Sequence, residues 1–120
     1  MKKNFFCLFL LLPLFVLNSC GSGANITTKK ITISWNANRE KLVNTNGGGY
    51  TIYYSTQSDF GLSSATSVDV PYVSGASTPT SVILDLPSGT DYYFRIVAYS
   101  HLNGENFTSI PSTEQTVSLK

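Results

Sequence analysis

Catalysis in this chain would have to be built from one histidine, seven carboxylates and two cysteines. The histidine, His101, stands between two extended runs, and no Gly-x-Ser-x-Gly elbow accompanies it, so a hydrolase triad has no frame. Asp59, Asp69, Asp85 and Asp91 are scattered singly. They show neither the Asp-x-Asp-x-Asp-Gly spacing of a calcium loop nor a Cys/His cluster, so no metal and no other cofactor is expected. Gly47-Gly48-Gly49 has the composition of a phosphate cradle. The next residues, however, are the strand-like YTIYYS and not the helix whose N-terminus such a cradle requires. Three glycines suit a tight approach into a strand instead. The residues read as those of a protein that is not an enzyme.

Composition bounds the class. The chain has 120 residues, enough for one small domain, with 42% apolar and only 12% charged residues. Ser, Thr, Asn and Gly fill the difference, which is the profile of an all-β, turn-rich extracytoplasmic module. The net charge is +1, but Lys2 and Lys3 lie at the extreme N-terminus, leaving six of the eight basic residues against seven acidic ones. No basic stripe exists to neutralise a run of phosphates, so no nucleic-acid partner is expected.

Met1-Lys2-Lys3 and the apolar run over residues 5–16 read as a positively charged start and a hydrophobic core of an export signal. The run is shorter than the ~20 apolar residues of a membrane span and contains Pro13. It ends in Leu17-Asn18-Ser19-Cys20-Gly21, which resembles a bacterial lipobox, departing from the usual pattern at Asn18. That resemblance implies cleavage before Cys20, diacylglyceryl attachment to the Cys20 sulfur and acylation of the new N-terminus, so that the membrane is a partner through lipid alone. An ordinary secretory signal with a chance cysteine after it is the other reading. Cys7 would leave with the leader and Cys20 would have no cysteine to pair with, which lipidation accounts for. The expected organisation is a signal peptide over 1–19, a lipidated cysteine and flexible tether over 20–30, and a domain over 31–120. The expected location is the bacterial cell envelope, at the outer membrane or the cell surface.

Within the domain, alternation dominates. Ile31, Ile33 and Trp35 share one face of an extended run, as do Tyr50, Ile52 and Tyr54, then Val68 and Val70, and then Tyr92, Phe94, Ile96 and Ala98. Pro71 marks the run over 66–72 as an edge strand, and Phe60 is expected to tuck against an edge. Residues 100–107 are expected to form a loop, and 113–119 a last strand with Val117 and Leu119 inward. The stretch over 84–99, LDLPSGTDYYFRIVAY, with Leu86, Gly89 and Tyr92, resembles the Leu-x-Pro-Gly-Thr-x-Tyr corner of fibronectin type III domains. Trp35 and Tyr50 stand where that family has its strand B tryptophan and the first tyrosine of strand C. The resemblance implies an immunoglobulin-like two-sheet β-sandwich whose strand A is short or absent, and a bond from Tyr92 back to the backbone. The strand before the corner has two possible registers. Simple alternation selects Val82, Leu84 and Leu86, whereas the family pattern selects Ile83, with a bulge.

If the strands carrying Tyr53 and Tyr93 are neighbours, as the resemblance implies, one outer face gathers Tyr53, Tyr93, Arg95 and Tyr99, residue types enriched at binding hot spots. Simple cross-strand shielding of the sheet is the other reading of that patch. The expected function is a non-catalytic, membrane-anchored module that binds a protein or glycan through this face or through the loops over 36–49 and 100–107. A structural or assembly accessory of the envelope, acting through the exposed edge over 66–72, is the alternative.

Overall fold

The computed structural model describes residues 25–120; the expected leader and cleavage junction, with Cys20, lie outside the described residues. Seven strands form two antiparallel sheets: β1 (Thr28–Ser34), β2 (Gly49–Ser55), β3 (Thr66–Pro71), β4 (Ser81–Pro87), β5 (Asp91–Leu102), β6 (Glu105–Thr108) and β7 (Gln115–Ser118). β1 and β4 make one sheet. The other runs β3-β2-β5, with β6 and β7 bonded in succession along the far edge of β5.

The alternation read from sequence is the packing pattern. Ile31, Ile33, Val82, Leu84 and Leu86 from the small sheet meet Tyr50, Ile52, Tyr54, Val68, Val70, Tyr92, Phe94, Ile96, Ala98 and Val117 from the large one in a single apolar cluster. Trp35 closes one end of it, its ring centroid 5.2 Å from that of Tyr50. The register of β4 is the simple one. Leu84 and Leu86 are buried, Ile83 is 60% exposed, and pairing with β1 runs unbroken from Thr28 opposite Pro87 to Ser34 opposite Ser81, so no bulge forms. A bulge would have turned Ile83 inward only by turning Leu84 out.

The corner before β5 closes as its residues require. Gly89 takes φ +108°, a conformation that strains any residue with a Cβ, and the Tyr92 hydroxyl donates to the Pro87 carbonyl at 2.9 Å. The corner also holds both ends of the domain: Ser88 N–H donates to Thr27 O at 2.8 Å, and Gly89 N–H donates to Leu119 O at 2.8 Å. Nearby, hydrogen bonds from Ser118 and then Lys120 hold the Asp91 carboxyl below the usual carboxylate range. Replacing Tyr92 by Phe keeps the ring and strips the Pro87 carbonyl of its donor. A loss of about 1 kcal/mol is expected, lowering Tm by roughly 4–8 °C, as thermal unfolding monitored by circular dichroism would record.

The far edge of β5 shows how a proline is accommodated. Between the stretches bonded to β7 and β6, Ile96 N–H donates to Ser112 Oγ at 2.9 Å and Ala98 N–H to Ser109 Oγ at 3.0 Å. The same two serines return their own N–H groups to Ile96 O and Ala98 O. The serine hydroxyls of Ser109-Ile110-Pro111-Ser112 thus accept from the N–H groups of β5, and the serine N–H groups, not Pro111, donate to its carbonyls.

Two expectations are corrected. Residues 100–107 are not a loop: β5 continues to Leu102 and returns as β6, with Leu102 opposite Glu105. The two-residue turn is Asn103-Gly104, at φ 53° and 84°, the Asn-Gly signature of a hairpin whose turn matches strand twist. Phe60 does not tuck against an edge. It is buried on the outer face of the large sheet, its ring centroid 5.7 Å from the Arg95 guanidinium carbon.

Candidate functional site

The four residues singled out from sequence do share a face. Tyr53 lies opposite Arg95 and Ser67, Tyr93 opposite Ser55 and Thr116, and Tyr99 opposite Gly49 and Thr108. Around Arg95 this face is already occupied by the protein itself. Asp59, in a left-handed conformation at φ 55°, turns the segment over 56–61 back across the sheet, and its N–H donates to Glu114 Oε1 at 2.8 Å. Phe60, the next residue, comes down onto Arg95. The guanidinium stands 3.8 Å from Glu114 Oε1 and 4.0 Å from Asp59 Oδ1, so two carboxylates and an aromatic ring already serve its charge. Val97, also on this outer face, is only 5% exposed. Arg95 is therefore a clamp for the covering loop more than a free group for an anionic ligand.

Tyr99 is similarly engaged. Its ring runs across Gly49, where an added Cβ would sit 2.8 Å from the phenolic oxygen. Burial, and then a hydrogen bond to Asp69, push its pKa up to about 12. Because the folded value lies above the ordinary 10, the stability this tyrosine contributes is complete below pH 10 and is lost as pH rises from 10 through 12. Tyr99→Phe is expected to flatten that part of the stability curve. Urea denaturation at pH 8, 10 and 11.5, compared between the two chains, would show it, and equal slopes would remove Tyr99 from the account.

The other group of interest lies at the end of the sandwich away from the Tyr92 corner. There the loop between β1 and β2 is tied down by polar bonds. Asn38 N–H donates to the Tyr50 hydroxyl at 2.6 Å, Glu40 N–H donates to Asn38 Oδ1 at 2.7 Å, and Asn44 Nδ2 donates to the carbonyls of Asn38 and Glu40. Val43 is driven into the core at 6% exposure. Its neighbour Leu42 is left 36% exposed, and across from it Phe107 and Ile110 are 51% and 87% exposed. Leu42, Val43, Ala98 and Phe107 line a groove of about 200 Å³. Ile110 lines an adjoining recess with Trp35 and Tyr50.

Sequence reasoning passes over these three apolar side chains because none belongs to an alternating apolar run: Leu42 and Val43 are an isolated pair, and Phe107 and Ile110 stand singly among polar residues. The Asn103-Gly104 dipeptide is the available signal, since the hairpin it makes carries Phe107 back toward Leu42. His101, at the same end, faces Asn106 with 2.7 Å between Nδ1 and Oδ1. Gly47 packs beneath it, at φ +91°. Among the described residues no helix is long and apolar enough to cross a membrane. No family model, no curated protein and no solved structure matches the chain.

Proposed function

We propose that the chain is a non-catalytic bacterial envelope lipoprotein, cleaved before Cys20 and held by lipid there, that presents an immunoglobulin-like, fibronectin type III sandwich for binding. The Tyr92–Pro87 corner, the Trp35–Tyr50 contact and the two-sheet core support the fold reading. The observation that carries the binding reading is polarity of placement. The chain enters at Thr27, bonded to the corner, whereas Leu42, Phe107 and Ile110 stand exposed at the other end of the strands. Along β5, at ~3.4 Å per residue, Asp91 at the corner stands about 20 Å from the level of Ile110 and about 30 Å from Ser100, which Phe107 faces. A tether of about seven residues, 20–26, would hold the corner near the bilayer and carry the apolar end away from it.

The partner best suited to that end is a protein, because isolated apolar side chains around shallow grooves take aromatic or aliphatic anchors. The test joins two measurements. Radiolabelled palmitate is expected in the wild-type chain and not in Cys20→Ala. A photo-crosslinking residue at position 107 or 110 is expected to yield a discrete adduct in intact cells, lost with Leu42→Ser, while position 83, exposed on the opposite sheet, yields none. Adducts from positions 53 and 93 alone would move the ligand to the tyrosine face; none from any position would end the binding reading. The accessory reading draws on β3, the outermost strand of the large sheet. An adduct confined to positions 67 and 69 would favour it.

A further inference from the structure

Among the described residues the two-stranded small sheet has an unpaired edge on each strand, and it is the β1 edge that borders a cleft. Trp35 N–H donates to Thr80 O at 2.9 Å and Ser88 N–H to Thr27 O, so odd-numbered residues of β1 exchange bonds with β4. The N–H and C=O groups of Thr28, Lys30, Thr32 and Ser34 therefore point the opposite way, and among the described residues no strand pairs with them. Alongside the far half of this edge, between β1 and β7, lies a cleft of about 300 Å³. Its walls are Ile33, Trp35, Ile52, Phe94, Ile96 and Val117, side chains of the core cluster seen from the side. The indole Nε1 of Trp35, shut off from solvent, has no hydrogen-bond partner.

The geometry points to a second binding site, next to the loop pole and sharing Trp35 with its recess: the β1 edge accepts, as an added antiparallel strand, an extended segment of another polypeptide whose apolar side chains enter the cleft beside Ile33 and Trp35. Unpaired backbone groups along the edge supply affinity, and the apolar cleft supplies selectivity for alternating sequence. Two observations choose the occupant. The chain's own tether is too short, a point that rests on the proposed cleavage before Cys20. Thr27 already extends the β1–β4 ladder, and a reversal consumes about two of the residues ahead of it, so what remains reaches no further than Ile31, short of the cleft. Charge sets what one end of the guest carries. Lys30 is paired with Asp85 at 3.0 Å, whereas Lys29 beside it is exposed, with no acidic side chain paired to it. An antiparallel guest would place its C-terminal end there, so an acidic residue at that end fits.

The test uses the full lipidated chain in detergent micelles and a synthetic eight-residue peptide alternating threonine and valine, with aspartate as its last residue. Trp35 is the chain's one tryptophan and lines the cleft, so its emission is expected to shift to the blue on saturation. Hydrogen exchange at the Thr28, Lys30, Thr32 and Ser34 amides is expected to slow at least about tenfold. The same peptide with a central proline, and the wild-type peptide against Thr32→Pro, are each expected to bind at least about tenfold more weakly. Thr32→Pro removes only an outward N–H and should leave the near-ultraviolet circular dichroism unchanged; if it unfolds the chain, the proline peptide carries the comparison alone. Unchanged Trp35 emission and exchange at saturating peptide would overturn the proposal, as would protection along Ser67 and Asp69 of β3 in its place. Protection of the β1 amides before any peptide is added, rising with protein concentration, would assign the edge to a second copy and overturn it too. Protection of the Thr28, Lys30 and Thr32 amides reads the β1 edge, which neither Leu42 nor Phe107 lines, so failure here and failure at the loop pole are told apart.

Discussion

Replacing Gly48 by alanine is expected to remove about 4 kcal/mol of stability, a large part of the 5–15 kcal/mol that holds a small domain together. A Cβ at Gly48 falls on the carbonyl oxygens of Leu42 and Val43 and lies 2.7 Å from the Val43 carbonyl carbon. These are backbone atoms and cannot rotate away. The turn that carries them is pinned by Val43 N–H to Glu40 O and Asn44 N–H to Lys41 O, both 3.1 Å, and by the Asn44 side chain. Making room means drawing Val43 out of the core or breaking the bond from Tyr72 N–H to Gly48 O at 2.9 Å. Overpacking costs ~1–3 kcal/mol, and exposing a buried valine about 1.5 kcal/mol or more. Gly61→Ala is the control, since its added Cβ meets nothing closer than 4.0 Å. Urea denaturation of the two variants should differ by most of the predicted amount; equal midpoints would mean that the turn yields freely.

Ile52→Ala is expected to cost about 3 kcal/mol. Ile52 is 1% exposed and sits mid-strand on β2, between Val68 on one side and Ile96 on the other. Truncating a buried isoleucine to alanine costs ~2–5 kcal/mol, depending on how far the site collapses. Ile52 also borders the open cleft beside β1, so water can reach the space left behind, which places the loss in the lower half of that range. Ile83→Ala removes the same atoms from a side chain 60% exposed on the opposite sheet, and a change within about 0.5 kcal/mol is expected. Equal losses at the two positions would contradict a β4 register that buries Leu84 and turns Ile83 outward.

The tyrosine and arginine face shows where sequence reading stops. That Tyr53, Tyr93, Arg95 and Tyr99 share a face follows from alternation once β2 and β5 are neighbours, and the register confirms that they do. That Arg95 is shielded does not follow, because it depends on the segment over 56–61 doubling back so that Asp59 meets Glu114, 55 residues further along the chain, and Phe60 meets Arg95. Likewise Leu42, Phe107 and Ile110 become one apolar end only because a hairpin turn and a polar loop knot bring distant segments side by side.

By itself the sequence determined what is local. Period-two alternation assigned the inward residues of β1, β2, β3, β5 and β7, and the corner composition placed Gly89 and Tyr92, because strand geometry and positive φ act on neighbouring residues. Only the tertiary structure decided the register of β4, the covering of Arg95, the open edge of β1 and the cleft beside it. Each of these is set by which strands lie next to one another across long sequence separations. Pairing energy there depends on the partner's side chains and backbone groups, and no single stretch of the chain contains both partners.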